Sequence, residues 1–103
     1  MRIGVLGAGY VGLVAGACLS DFGHQVMCID KDNSKINELR KGRTPIYEPG
    51  LESLMKKNML SKRLFFSNNI YYISLFIRRI RRYEKRNNKY YFSISEEMII
   101  IFV

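Results

Sequence analysis

The run Gly7-Ala8-Gly9-Tyr10-Val11-Gly12 constrains this chain more than any other feature of it. It follows a short β-branched and apolar run, Arg2–Leu6, which reads as a buried parallel strand. It opens a stretch, Tyr10–Phe22, with apolar residues at Val11, Val14, Ala15, Cys18, Leu19 and Phe22, the spacing of one inward helical face. Glycines placed this way at a strand-to-helix junction each have a physical reason. Gly7 permits a tight turn, and Gly9 leaves the backbone open to a close ligand. Gly12, with Gly16 one turn later, lets the helix lie near the sheet. The unbonded amides at the helix start, aligned with its dipole, then favour an anion such as a diphosphate.

A glycine-rich turn alone is a weak signal; an acidic residue closing the next strand makes it a stronger one. Gly23 fits a left-handed cap after the helix, and Gln25–Ile29 reads as a second strand that ends in Asp30. A carboxylate there accepts ribose hydroxyls and repels a 2′-phosphate, which implies NAD over NADP, with Lys31 and Lys35 near enough to blunt the repulsion. The competing reading gives Asp30 only a share in capping the second helix, as Asp32 or Asn33 also might serve. That helix is expected from Asn33 or Ser34 to about Lys41, with Ile36 and Leu39 inward and Gly42 ending it. Residues 44–49 form a proline-braced loop. Pro49 suits the first turn of a third helix to about Asn58, burying Leu51, Leu54 and Met55, with Glu48 a candidate cap. Residues 63–67 read as a third strand. This alternation implies right-handed crossovers and a parallel sheet. The expected fold class is α/β, a Rossmann-like parallel sheet with flanking helices, incomplete at about half a dinucleotide-binding domain.

Composition narrows the remaining possibilities. The 103 residues carry a formal charge of +8, which favours anionic partners, and 48% hydrophobic content suffices for a core. Two cysteines and one histidine make neither a disulfide framework nor a structural zinc set. Arg2 and the charge-free stretch to Ser20 imitate a secretory signal, but four glycines inside the supposed apolar core speak against one, and a cytoplasmic chain with reduced thiols is expected. Cys18 on the inward helix face and Cys28 in a strand are expected to be small core residues rather than nucleophiles. His24 is expected as an exposed turn residue. No catalytic residue emerges.

Beyond the glycine turn, residues 1–68 resemble the N-terminal domain of the UDP-glucose 6-dehydrogenases, within the UDP-glucose/GDP-mannose dehydrogenase family. The matching text is GAGYVGLVAGACLSDFGHQVMCID, then KDNSKINELRKG, and most specifically Pro45-Ile46-Tyr47-Glu48-Pro49-Gly50-Leu51. The resemblance implies an NAD-dependent, two-step oxidation of a nucleotide sugar, UDP-glucose to UDP-glucuronate, through a cysteine thioester. Carried over residue by residue, it implies cofactor contacts at Gly7, Ala8, Gly9, Tyr10, Val11 and Gly12, with Asp30 on the ribose and Lys35 beside it. The family's V-G-T-P loop and its G-G-x-C-F-x-K-D segment do not occur in these residues. The chain alone is therefore expected to be inactive, with nucleotide sugar a partner only of full-length members.

Composition breaks near residue 68. From Ile70 onward there is no Gly, Ala, Pro, Asp or Thr, and eight Ile and five Tyr appear instead. The chain thus divides into a partial NAD-binding domain, 1–68, and a divergent tail, 69–103. One account makes the tail a stretch read out of frame. Another makes it a diverged helix followed by an apolar strand, 98–103, able to pair as the fourth strand. An alternative function would be a basic amphipathic helix within residues 76–89, from Arg78 to Arg86, on an anionic membrane or nucleic acid, although no specific partner of either kind is expected.

Overall fold

The computed structural model describes residues 2–76, 80–86, 89–94 and 98–102. In chain order it runs β1 (Arg2–Leu6), α1 (Tyr10–Asp21), β2 (Gln25–Ile29), α2 (Asn33–Arg40), α3 (Leu51–Leu60), β3 (Leu64–Ser67), α4 (Tyr71–Phe76), β4 (Ile80–Arg86), β5 (Lys89–Ile94) and β6 (Met98–Phe102). Four strands form one sheet in the order β3-β2-β1-β6. All its pairings are parallel, with Ile3 opposite Val26, Val26 opposite Leu64, and Arg2 opposite Met98. This is the α/β, Rossmann-like architecture that the alternation implies. Chain order runs outward from β1 in two directions, so the carboxyl end of β1 is a topological switch point, where such sheets bind ligands.

One sheet face carries the core. Ile3 and Val5 of β1, Val26 and Cys28 of β2, and Leu64 and Phe66 of β3 are buried against Leu13 and Ala17 of α1, Ile36 and Leu39 of α2, and Leu51 and Met55 of α3. Met27 and Phe65, side by side in the register, stay half-buried on the opposite face, as the two-residue side-chain period requires. There Phe76 of α4 meets Phe65 edge-on, with ring centroids 5.7 Å apart.

Helix α1 does not present the face that its large apolar residues suggest. Gly12, Leu13, Gly16, Ala17 and Ser20 face inward, while Val11 is 62% and Phe22 80% exposed and Cys18 is exposed. Of the expected inward face, Val14 and Leu19 pack partly buried against the core, whereas Val11, Cys18 and Phe22 are corrected to the exposed side. The reason is distance. A Cβ on Gly16 would come within 2.7 Å of the Cys28 sulfur, so this helix lies against the strands along its smallest side chains. The C-terminus follows expectation: Gly23 N donates to Ser20 O and His24 N to Leu19 O, closing a Schellman motif. His24 is half-buried rather than exposed.

Two helix starts also differ in detail from the sequence reading. Asp32, not Asn33 or Ser34, caps α2 by accepting the Lys35 amide at 3.2 Å. Pro49 lies before α3, whose cap is Gly50 in the left-handed region (φ +83°). Glu48 contributes its backbone carbonyl to Leu51 N, and its side chain reaches elsewhere. Asn58 continues the buried stripe of α3, bonding Leu54 O and Asp21 and accepting Arg63 at 3.1 and 3.2 Å.

Among the described residues, the basic segment forms no helix. Ile80–Arg86 is a strand, paired antiparallel with Lys89–Ile94, Tyr83 opposite Phe92 and Glu84 opposite Tyr91. Isoleucine, tyrosine and phenylalanine favour a pleated strand over a helix. This corrects the amphipathic-helix expectation, although residues 77–79 and 87–88 lie outside the described residues.

Candidate dinucleotide site

The glycine turn is built from backbone hydrogen bonds. Gly7 adopts φ +111°, a conformation that a side chain resists, and its N–H donates to Ile29 O at 2.7 Å. Ala8 is buried and donates its N–H to Asp30 Oδ2 at 3.0 Å. Gly9 caps α1 with extended backbone and accepts Leu13 N at 2.9 Å, the first bond of the helix. The N–H groups of Tyr10, Val11 and Gly12 therefore have no acceptor among the described residues, at the positive end of the helix dipole.

Two glycines act in opposite senses here. Nothing lies within 4 Å of where a Gly9 Cβ would stand, so that position faces open space. A Gly12 Cβ would run into the Gly7 carbonyl oxygen and sit 3.4 Å from Val5 Cγ1. Gly12 closes the turn on itself more than it packs the helix on the sheet, and Gly16 supplies the sheet contact.

Asp30 stands beside this turn with its side chain 16% exposed. Oδ1 accepts the Asp32 amide at 3.0 Å, Oδ2 accepts Ala8 N, and Lys35 Nζ lies 3.4 Å from Oδ2. The Asp32 amide foremost, then the Ala8 amide and Lys35, hold its carboxyl below the usual aspartate value against the opposing effect of burial. Asp30 thus supports the start of α2 through Asp32 and also grips the glycine turn. The structure brings all the candidate residues together: Gly7, Ala8, Gly9, Tyr10, Val11, Gly12, Asp30 and Lys35 share one end of the sheet.

An open cleft of about 440 Å³ adjoins them, lined by Leu6, Gly7, Ile29, Asp30, Lys31, Asn68 and Ile70. Its floor is the carboxyl ends of β1 and β2, and its far wall follows β3. Asn68, whose Nδ2 donates to Asn33 Oδ1, and Ile70 were not singled out in the sequence. Their position just past the third strand is the signal that identifies them. Tyr10, 55% exposed, adds a contact that the sequence does not announce: its hydroxyl donates to Glu48 Oε2 at 3.0 Å, which raises its pKa.

Other reactive groups stand apart. Burial pushes the Cys28 thiol up to about 12. Among the described residues, no three His, Cys, Asp or Glu side chains group to hold a metal, and no helix is long and apolar enough to cross a membrane.

Comparison with known proteins decides the lineage. The NAD-binding domain model of the UDP-glucose/GDP-mannose dehydrogenase family matches residues 1–74. The chain belongs to this family. Within it, the chain is 58% identical over 69 residues to UDP-glucose 6-dehydrogenase YwqF of Bacillus subtilis (strain 168), covering 67% of this chain and 16% of that protein. It is 54% identical over 70 residues to the UDP-glucose 6-dehydrogenase of Rhizobium meliloti (strain 1021), again 68% of this chain and 16% of the relative. Its fold superposes on a GDP-mannose dehydrogenase from Pseudomonas aeruginosa, solved as a ternary complex, with TM-score 0.70 and 39% identity over 74% of this chain and 17% of the other. The chain spans about a sixth of the length of these curated relatives. The portion it matches is the family's NAD-binding domain, and NAD is the cofactor of this dehydrogenase-like chain.

Proposed function

We propose that the turn of Gly7–Gly12 holds the diphosphate of NAD on the N–H groups of Tyr10, Val11 and Gly12. The observation that carries this reading is the set of three unbonded amides opening beside the Asp30 carboxylate. Ala8 shapes the turn, because Asp30 already accepts its N–H, and Gly9 gives the phosphates room. Asp30 takes the ribose hydroxyls on lone pairs left beside its backbone bonds, Lys35 neutralises part of its charge, and the cleft edged by Asn68 and Ile70 takes the adenine.

The activity proposed for the lineage is the family's oxidation of a nucleotide sugar at C6, UDP-glucose foremost, for which bound NAD⁺ supplies the hydride acceptor. Residues 1–68 contribute the dinucleotide-binding half of that machinery, in the cytoplasm, and residues 69–103 are a diverged addition. The described residues offer no nucleophile with a partnering base, so the chain alone is expected not to turn over UDP-glucose. Calorimetric titration with NAD⁺ and NADP⁺ tests the binding. Saturable NAD⁺ binding, weaker for NADP⁺, supports the reading; equal or absent binding contradicts it.

A further inference from the structure

The segment Pro45–Leu51 is the most distinctive stretch of the chain, and nothing in dinucleotide binding by the glycine turn calls for it. The structure shows how it is held. Thr44 N donates to Glu52 Oε1 at 3.0 Å, Ile46 N donates to Thr44 Oγ1 at 3.2 Å, and Glu48 N donates to Ile46 O at 3.2 Å. Ile46 packs against the core, Leu51 is buried, and Leu51 N returns to Glu48 O at 3.1 Å. Anchored at both ends, the loop presents Glu48 to the first residue of α1. There Glu48 Oε2 accepts the Tyr10 hydroxyl at 3.0 Å, across 38 positions of sequence.

We propose that Glu48 and Tyr10 are a positioning pair: the loop straps the start of α1 in place and so fixes the aim of the Tyr10, Val11 and Gly12 amides at the anion. For its ligand this inference rests on the NAD reading above. The strap joins Tyr10, the longest side chain of the glycine turn, to a loop that otherwise has no part in the site. A hydroxyl–carboxylate bond at an exposed position contributes modestly, so the pair tunes the site and does not create it.

The test uses the full chain as wild type, Y10F, E48A, E48Q and the Y10F/E48A double variant. Amide hydrogen exchange is measured over residues 7–13, and NAD⁺ affinity by calorimetry. Exchange about threefold faster in Y10F and in E48A, no faster in the double variant, and near wild type in E48Q, which keeps an acceptor oxygen, supports the strap. NAD⁺ affinity is expected to fall by a similar factor in the same variants and to recover in E48Q. Unchanged exchange in either single variant, or additive effects in the double, overturns the pair. Faster exchange with unchanged NAD⁺ affinity overturns its positioning role. If wild type binds no NAD⁺, the dinucleotide reading fails, and the exchange pattern still decides whether the strap exists.

Discussion

The Asp30 carboxylate accepts the amide hydrogen of Ala8 at 3.0 Å, joining the end of the second strand to the turn after the first. The same oxygen lies 3.4 Å from Lys35 Nζ, and the other oxygen accepts the Asp32 amide. The residue proposed to take the ribose is thus also a fixture of the neighbouring turn. On the proposed reading, ribose binding and turn shape share one carboxylate.

Asp30→Asn therefore affects the fold as well as the ligand. The folded state holds the Asp30 carboxyl below its ordinary value of 3.8. A group depressed in this way contributes stability above its unfolded value and loses it as pH falls through the folded value. Thermal melting followed from neutral pH down to about pH 2 should show wild type losing a stabilising increment below about pH 4 that D30N lacks at every pH. Parallel acid profiles in the two proteins would contradict the assigned role.

Gly9→Val and Gly12→Val should separate binding from folding. A Cβ at position 9 has nothing within 4 Å, so G9V is expected to stay within about 0.5 kcal/mol of wild type in urea denaturation while losing NAD⁺ binding. At position 12 the first added carbon meets the Gly7 carbonyl, part of the backbone, and G12V should cost about 1–3 kcal/mol or more. Similar stability losses in both variants would refute the distinction.

The thiols offer a direct test of the corrected helix face. Cys18 is exposed, whereas Cys28 is fully buried with its thiol pushed up to about 12. A thiol reagent at about pH 8 should modify one cysteine rapidly in the native protein and the second only on unfolding. Cys18→Ser should abolish the rapid phase. Two protected thiols would restore the inward placement of Cys18.

Asn58 joins three elements through Asp21 of α1, Leu54 of its own helix and Arg63 before β3, and it is fully buried. Asn58→Ala leaves the Arg63 donors short of an acceptor and should cost about 1–3 kcal/mol in chemical denaturation, without altering NAD⁺ affinity. Asn58→Asp, which keeps an acceptor for Arg63 but sets a second carboxylate beside Asp21, should also be destabilising.

Much of this architecture was legible in the residues. β1 and β2 fall where their apolar runs place them, β3 within one residue, and the turn, Asp30 and Lys35 meet as their spacing implies. The face of α1 departs from its apolar pattern because two signals disagree. Side-chain size points to Val11, Cys18 and Phe22, whereas Gly12 and Gly16 mark the side that approaches the sheet. Close packing prevailed, since backbone proximity lets small side chains fill the interface. The segment from Ile80 to Arg86 differs for another reason: its charges suit a helix face, but Ile80 and Tyr83 lie opposite Ile94 and Phe92 of an antiparallel partner strand that lies later in the chain. The Tyr10–Glu48 bond had no local signal, because an exposed tyrosine and an exposed glutamate become partners only when the loop is folded.

The central claim is that a dinucleotide's diphosphate rests on the first-turn amides of α1. Amide NMR spectra recorded during NAD⁺ titration of the wild-type chain and of G9V test it most directly. Saturable shifts concentrated at Tyr10, Val11 and Gly12 are expected in wild type and none in G9V. Saturable NAD⁺ binding that leaves those three amides unmoved, or shifts of equal size in G9V, would contradict it.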